Sequence, residues 1–316
     1  MLQPQNLVSD KRPIFSLFNI SVNLLLGFLL IGPLIGLGIA SLFYEGNLVN
    51  DIMNMTDENN LFYPLLITQG IGSFIGLIVL PYIHIRTIEQ KKLAPFFKRE
   101  PRLLFVFIIV AIIGFNFIIA ISPVTEWNVN VHFPDFLKEF EEWAKSREDQ
   151  NALITKAVTS FTSFGDLMLC LLVVAIFPAI GEELVFRGMI QNEIWRGSRN
   201  IHVAIWISAV IFSAVHFQFF GFFPRLFLGA LFGYLYYWSG NLAVPMFAHF
   251  FNNGFSVVAM FLYNRGTLET DLEKTESAPW QAVLVSAAVT SCLLYYLWKF
   301  FNDRRTIETE ESSSSL

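Results

Sequence analysis

Apolar residues fall in long blocks along this chain, and short polar or charged stretches separate the blocks. A helix that crosses a lipid bilayer needs about 20 mostly apolar residues. Segments that reach or approach this length lie at 18–43, 62–85, 103–122, 162–190, 202–217, 222–238, 241–263 and 280–301. The pattern therefore predicts an all-α, polytopic membrane protein with about eight transmembrane helices.

Composition supports this fold class and excludes others. Of the 316 residues, 54% are hydrophobic and 15% are charged, whereas soluble proteins carry about 25% charged residues. A net charge of −5 excludes the basic surface that nucleic-acid binding requires. Cys170 and Cys292 both lie inside apolar segments, which favours buried free thiols over a disulfide or a metal site.

The distribution of basic residues predicts the orientation in the membrane. Most Lys and Arg residues fall in the polar N-terminus with Lys11 and Arg12, in 86–102, in 187–201 and after the last apolar block. Cytoplasmic loops are enriched in Lys and Arg, so we expect both termini inside a cell membrane. The remaining loops, 45–61, 123–160 and 265–279, would then lie outside.

One integral membrane domain with three parts accounts for the whole chain. Residues 1–159 would form N-terminal membrane helices and an outer amphipathic helix, because Phe136, Phe140 and Trp143 are spaced at i, i+4 and i+7. Residues 160–265 would form the core that carries the chemistry. Residues 266–316 would add the last transmembrane helix and a disordered acidic tail.

Ionisable residues inside apolar segments are costly and mark candidate functional sites. Glu183 and Arg187 are spaced at i, i+4, so the two side chains can pair on one helical face. Glu182 lies on a different face and has no partner in this motif, which suits a carboxylate that acts as a general base. Alternatively, both acids lie at the inner membrane edge and only pair with Arg187 and Arg196.

Two later segments add polar side chains within apolar surroundings. His216 lies within the predicted span 202–217 and, taken alone, also fits a core histidine. His249 and Asn253 are spaced at i, i+4 and point to one side of their helix. Together they suit an oxyanion hole or a plain hydrogen bond between helices. Hydrolysis of a peptide bond needs an activated water, which Glu182 with His216 can supply, and a stabilised oxyanion.

At these residues the sequence resembles a known family. Glu182-Glu183-x-x-x-Arg187, Phe212-x-x-x-His216 and His249-x-x-x-Asn253 resemble the three motifs of the CAAX-processing and bacteriocin-processing proteases, which include Ras-converting endopeptidase and abortive-infection proteins. The resemblance covers residues 160–262. It implies an eight-span helical fold whose site opens toward the cytoplasm.

The resemblance also implies a role for each motif residue. Glu182 would activate water with His216 as its partner, and His249 with Asn253 would form the oxyanion hole. Glu183, Arg187 and Phe212 would support them. The substrate would be a membrane-associated protein or peptide, and lipidated proteins are among the substrates that the resemblance implies. No cofactor is favoured, although Glu182, His216 and His249 would be the ligands if zinc is bound.

This interpretation has one alternative and depends on one structural condition. A non-catalytic membrane scaffold, an immunity protein or a transport-associated protein could use the same buried polar residues structurally. In addition, Glu182 and His216 meet only if the fourth helix continues past Gly181 and carries Glu182 deep enough into the membrane. We therefore predict one long helix from about 160 to 194, bent near Pro178.

Overall fold

The computed structural model describes residues 12–56, 60–268 and 276–314, with side chains up to Arg304. The predicted basic N-terminus with Lys11, part of the predicted outer segment 265–279 and the side chains of the acidic tail lie outside the described residues. Within them the chain forms short 3-10 helices at Ala94–Phe96, Asp135–Leu137 and Phe219–Gly221 and ten longer helices: α1 Pro13–Ser41, α2 Leu48–Asn54, α3 Phe62–Ile88, α4 Leu103–Val129, α5 Lys138–Thr159, α6 Phe164–Ser198, α7 Ile201–Ala214, α8 Phe222–Ser239, α9 Ala243–Asn264 and α10 Trp280–Ser314.

This architecture confirms the all-α, polytopic membrane fold. Among the described residues, six helices are long and apolar enough to cross a membrane. The count of eight is not confirmed, for two different reasons. Helix α7 has 14 residues and is shorter than a typical span. Helix α9 has 22 residues, but its polar side chains lower its hydropathy.

Three helices differ in length from their predicted segments. Helix α4 continues to Val129 with Pro123 inside it. Helix α10 continues to Ser314, through most of the segment predicted to be disordered. Helix α6 runs without a break from Phe164 to Ser198, which confirms the predicted long fourth helix. Its Leu171–Ile176 stretch is π-helical and directly precedes Pro178.

The two ends of the helical bundle differ in the loops they carry. At one end, which we call the basic end, Asn241 donates a hydrogen bond to the carbonyl oxygen of Lys98 (2.7 Å), and Glu100 pairs with Arg304. At the opposite end, Asn128 donates to the carbonyl oxygen of Phe219 (3.1 Å). The predicted amphipathic helix is present there as α5, with its Phe140 ring packed against Phe219.

Glycines let α3 approach both α1 and α6. A Cβ atom added at Gly76 would lie 2.5 Å from the Cα atom of Phe28 in α1. One added at Gly181 would lie 2.5 Å from the Cβ atom of Leu77 and 3.0 Å from its carbonyl oxygen. Membrane helices approach this closely only where small residues remove the side chain. Gly181 therefore fixes the depth and rotation of the next residue, Glu182.

Candidate active site

The pairing of α6 with α7 decides whether Glu182 can meet His216. Ser208 donates a hydrogen bond to the carbonyl oxygen of Phe186 (3.0 Å), and the rings of Phe186 and Phe212 pack edge to face with centroids 5.1 Å apart. The two helices run in opposite directions. One turn before Phe186 is Glu182, and one turn after Phe212 is His216, so both residues reach the same level of the bundle.

Glu183 is at the centre of a buried charge network. Its Oε1 atom accepts a hydrogen bond from Arg187 Nη1 (2.9 Å) and another from His249 Nδ1 (2.8 Å). Arg187 Nη2 donates to the carbonyl oxygen of Gly229 (2.8 Å). Glu183, Arg187 and His249 are all buried. The structure thus contains the predicted i, i+4 pair and extends it to α8 and α9, which sequence spacing did not reveal.

Aromatic rings enclose this network. The guanidinium of Arg187 lies 4.6 Å from the Phe212 ring centroid and 5.4 Å from that of Phe232. The imidazole of His249 stacks on Phe232 at 5.2 Å, and Phe212 packs edge to face against His216 at 5.2 Å. Cation–π contact stabilises a desolvated guanidinium, so Phe212 and Phe232 hold Arg187 and both histidines in place.

Glu182 lies beside this network but does not join its hydrogen bonds. Its Oε2 atom is 3.8 Å from His249 Nε2, is buried and has no hydrogen-bond partner among the described residues. An ionised carboxylate only accepts hydrogen bonds, so the bond to Glu183 places a proton on His249 Nδ1. The other ring nitrogen, Nε2, then faces Glu182.

His216 was predicted to lie within a span, but α7 ends at Ala214 and His216 lies in the turn that follows it. Its Nδ1 atom donates a hydrogen bond to the carbonyl oxygen of Phe212 (2.7 Å), because a carbonyl oxygen can only accept. The neutral ring therefore keeps a free lone pair on Nε2. A nitrogen of this kind can accept a proton or a hydrogen bond from a water molecule.

Asn253 is held by the π-helical turn of α6. Its Nδ2 atom donates to the carbonyl oxygen of Val174 (3.1 Å), and its Oδ1 atom accepts a hydrogen bond from Asn252 Nδ2 (3.2 Å). A π turn releases carbonyl groups from the regular helical pattern, and Val174 is in such a turn. The amide of Asn253 keeps a second N–H group for another acceptor.

A cavity of about 1530 Å³ connects these side chains. It is lined by all four residues that the sequence predicts to be catalytic, namely Glu182, His216, His249 and Asn253. Three further polar residues that the sequence analysis did not assign also line it, namely Gln218, Arg225 and Asn252. The sequence analysis assigned no role to Arg225. The signal was present, because Arg225 is the one charged residue of α8.

The cavity extends away from the basic end. Its walls include Met53 of α2 and Asn151 of α5 at the opposite end, and the exposed residues Leu29 and Leu34 of α1 along the side. Toward the basic end the polar residues are covered by a buried apolar cluster formed by Phe96, Leu184, Met189, Tyr236, Leu242 and neighbours. The described cavity therefore opens toward the loops 45–61 and 123–160 and toward lipid.

Three of these side chains, Glu182, His216 and His249, are the predicted zinc ligands. No group of three or more His, Cys, Asp or Glu side chains in the described parts of the chain has an arrangement that could hold a metal ion. His249 uses Nδ1 for Glu183 and His216 uses Nδ1 for Phe212, so zinc would need both Nε2 atoms. The three predicted zinc ligands do not form such a group among the described residues.

The fold and these side chains together define a helical membrane protein whose interior contains a site of Glu, Arg, His and Asn residues. Comparison with known proteins gives the family. The family model described as "Type II CAAX prenyl endopeptidase Rce1-like" matches residues 164–255. "Putative membrane peptidase YdiL" of Bacillus subtilis (strain 168) is 30% identical over 217 residues, which cover 68% of this chain and 79% of YdiL. The chain therefore belongs to the CAAX protease family.

Two further relatives match shorter regions. "Membrane-embedded CAAX protease MroQ" of Staphylococcus aureus (strain USA300) is 36% identical over 95 residues, 28% of this chain and 38% of MroQ. "Uncharacterized protein YpbD" of Bacillus subtilis (strain 168) is 31% identical over 113 residues, 34% of this chain and 53% of YpbD. This chain thus spans about half or less of the length of these two relatives. No solved structure matches it.

Proposed function

We propose that this chain is an intramembrane endopeptidase that cleaves a membrane-associated protein or peptide with a water molecule activated by Glu182. One observation carries the proposal. Glu182 presents a buried carboxylate oxygen without a hydrogen-bond partner among the described residues, beside His249 and in a cavity shared with His216 and Asn253. Glu183 Oε2 is also buried without a hydrogen-bond partner among the described residues, but Glu183 bonds Arg187 and His249 and does not line the cavity. A purely structural role therefore fits Glu183, whereas Glu182 faces the cavity without any such bond.

In the proposed reaction, Glu182 takes a proton from a water molecule that also contacts His216 Nε2. The hydroxide attacks the carbonyl carbon of the scissile bond, and the electron pair of the C=O bond moves to the oxygen. His249, with Nδ1 held by Glu183, donates from a protonated Nε2 to this oxyanion, and the second N–H of Asn253 also donates. Collapse of the intermediate breaks the C–N bond, and Glu182 returns its proton to the leaving amine.

Charge balance supports this assignment. Glu182 and Glu183 carry two negative charges, and Arg187 with a protonated His249 carries two positive charges. Among these four groups the charges sum to zero, which is favoured in a medium of low dielectric constant, where isolated charges are strongly disfavoured. The Glu183 carboxylate stabilises the imidazolium of His249, so a donor is in place before the oxyanion forms.

Glu182→Gln tests the function directly. Wild-type and variant proteins, reconstituted in nanodiscs, are given fluorogenic membrane-anchored peptides, and cleavage is measured by mass spectrometry. We expect kcat to fall by about 10²–10⁴-fold, the usual contribution of a general base, while the thermal unfolding temperature stays close to wild type. Full turnover by Glu182→Gln would contradict the catalytic assignment.

Zinc dependence is tested separately. Because the described side chains do not fit three zinc ligands, we expect purified active protein to contain zinc at well below one atom per chain and to keep its activity after chelation. Elemental analysis and cleavage after chelator treatment measure both. Stoichiometric zinc, with activity lost on chelation and restored by the metal, would reverse this expectation.

Access to the site is a further part of the proposal. The positive-inside rule places the basic end in the cytoplasm, whereas the described cavity opens toward lipid and the opposite end. A cytoplasmic opening then requires the reverse orientation or a second route through the cluster around Leu242. Lipid-exposed leucines along α1 favour a substrate that arrives from within the bilayer.

Cysteine labelling decides the orientation. In a background where Cys170 and Cys292 are replaced by alanine, a membrane-impermeant maleimide is applied to intact cells that carry Asn151→Cys or Arg99→Cys. With the basic end inside, the cysteine at position 151 is labelled and the one at position 99 is not. The opposite result would place the cavity mouth in the cytoplasm, and then no second route would be needed.

A further inference from the structure

Arg225 is a charged side chain in the cavity wall that the proposed reaction does not use. It is the one charged residue of α8, Phe222–Ser239, and it lines the same cavity as Glu182 and His216. A guanidinium within a membrane-spanning segment is energetically costly and marks a functional position. Its hydrogen bond goes to Gln218 and not to Glu182, His216 or His249, so its presence needs another explanation.

The contacts of Arg225 hold the Nη2 atom of its guanidinium and leave the Nη1 atom without a hydrogen-bond acceptor among the described residues. Nη2 donates a hydrogen bond to Gln218 Oε1 (2.6 Å). The group also lies against Gly221, where an added Cβ atom would approach Nη2 to 3.0 Å. Nη1 is buried and makes no hydrogen bond to any described residue. A buried donor without a partner is costly, so this nitrogen is placed for a ligand.

No described carboxylate lies within ion-pairing distance of Arg225. Glu148 of α5 is half-buried, and burial raises the pKa of its carboxyl group, while the positive charge of Arg225 acts in the opposite direction. Arg225 also interacts electrostatically with Glu182. Neither acid forms a hydrogen bond with the guanidinium. The positive charge in the cavity wall is therefore only partly balanced by the chain itself.

We propose that Arg225 binds a carboxylate of the substrate and thereby determines which peptide bond reaches Glu182. The inference rests on the proposed function. A guanidinium presents parallel N–H donors that match the two oxygens of a carboxylate. An anchor at a fixed position relative to Glu182 sets the number of residues between the bound carboxylate and the scissile bond. The carboxylate belongs either to the substrate's C-terminus or to an Asp or Glu side chain.

Binding measurements test this separately from catalysis. The Glu182→Gln protein in nanodiscs is titrated with fluorescein-labelled apolar decapeptides that end in a free carboxylate, and with the same peptides ending in a carboxamide. A third set of carboxamide peptides carries one internal Glu or the matching Gln. We expect one carboxylate source to bind about tenfold or more tightly than its neutral counterpart, as charge-assisted hydrogen bonds predict. Adding Arg225→Gln should bring this ratio close to one.

Matched variants separate the guanidinium from charge in general. Arg147→Gln removes an exposed charge of α5 that does not line the cavity, and it should leave the ratio unchanged. Gln218→Leu frees Nη2 and should reduce the ratio by a smaller factor than Arg225→Gln. The proposal is overturned if neither carboxylate set is preferred, or if Arg225→Gln weakens the acidic and neutral peptides equally. Turnover of Glu182→Gln is measured in the separate cleavage assay. The catalytic role of Glu182 and the binding role of Arg225 can therefore be contradicted independently.

Discussion

Two buried charge clusters share helix α6, and they differ in whether their residues line the cavity described above. The cavity-side cluster consists of Glu182, Glu183, Arg187 and His249. The basic-end cluster consists of residues from α1, the end of α3, the loop after it and the last turns of α6, namely Ser16, His84, Glu89, Lys91, Glu193 and Arg196. Both contain acids, bases and a histidine, so residue types alone do not distinguish them.

Contacts and cavity separate the two clusters. In the basic-end cluster, Ser16 donates to Glu89 (2.6 Å) and Glu193 pairs with Lys91 (3.4 Å) and with Arg196. None of its members lines the cavity described above. Each cluster keeps a buried polar atom without a hydrogen-bond partner among the described residues, His84 Nε2 in the basic-end cluster and Glu182 Oε2 in the cavity-side cluster, but of these two residues only Glu182 lines the cavity. Charge away from the cavity ties helices together, whereas a carboxylate that faces the cavity is suited to chemistry.

The largest effect on stability is expected from Glu183→Gln. This change leaves Arg187 buried without its carboxylate partner, and breaking a buried pair from one side costs about 3–5 kcal/mol. Denaturant unfolding in detergent measures the loss. Replacing both partners, with Glu183→Leu and Arg187→Met, should recover part of the stability. An unfolding curve of Glu183→Gln that matches wild type would show that the network does not hold the helices together.

A smaller effect is expected from Gly181→Ala. The new methyl group would lie 2.5 Å from Leu77 Cβ, so α6 and α3 must separate, at a cost of about 1–3 kcal/mol. Because Glu182 is the next residue, turnover should fall as well. Gly38→Ala is the matched control, since no atom lies within 4 Å of its added Cβ. Equal behaviour of the two variants would contradict the close packing.

Glu193→Gln should have a modest effect on stability and none on the chemistry. Its partners Lys91 and Arg196 are partly exposed, with 15% and 10% of their side chains accessible, so both cations can reach solvent when the carboxylate is lost. We expect a cost of about 1 kcal/mol and unchanged kcat in the peptide assay. If kcat fell as far as in Glu182→Gln, the distinction between the two clusters would be wrong.

The smallest effect is expected at a carboxylate on the surface of α5. Hydrogen bonds from Lys145 and from the backbone N–H of Phe133 lower the pKa of Glu141 from 4.5 to about 2. A lowered pKa means that the stabilisation is complete above pH 4.5 and disappears as the pH falls from there toward 2. NMR titration of Glu141 measures this, and Lys145→Gln should move the pKa back toward 4.5. An unshifted midpoint in wild-type protein would exclude the pairing.

The sequence by itself determined the features that depend on neighbours along one helix. Blocks of apolar residues predicted most of the membrane helices, and the i, i+4 spacing predicted the pair of Glu183 with Arg187. These features follow from hydropathy and helical geometry, which act over a few residues.

The tertiary structure decided how residues on different helices meet. It placed His249 on Glu183, Asn253 on a carbonyl of a π turn, and Arg225 in the cavity wall. The distance between two helices and their rotation depend on close contacts such as Gly181 with Leu77 and on π turns that shift a helical face. Such contacts join residues far apart in the chain, so local periodicity contains no information about them.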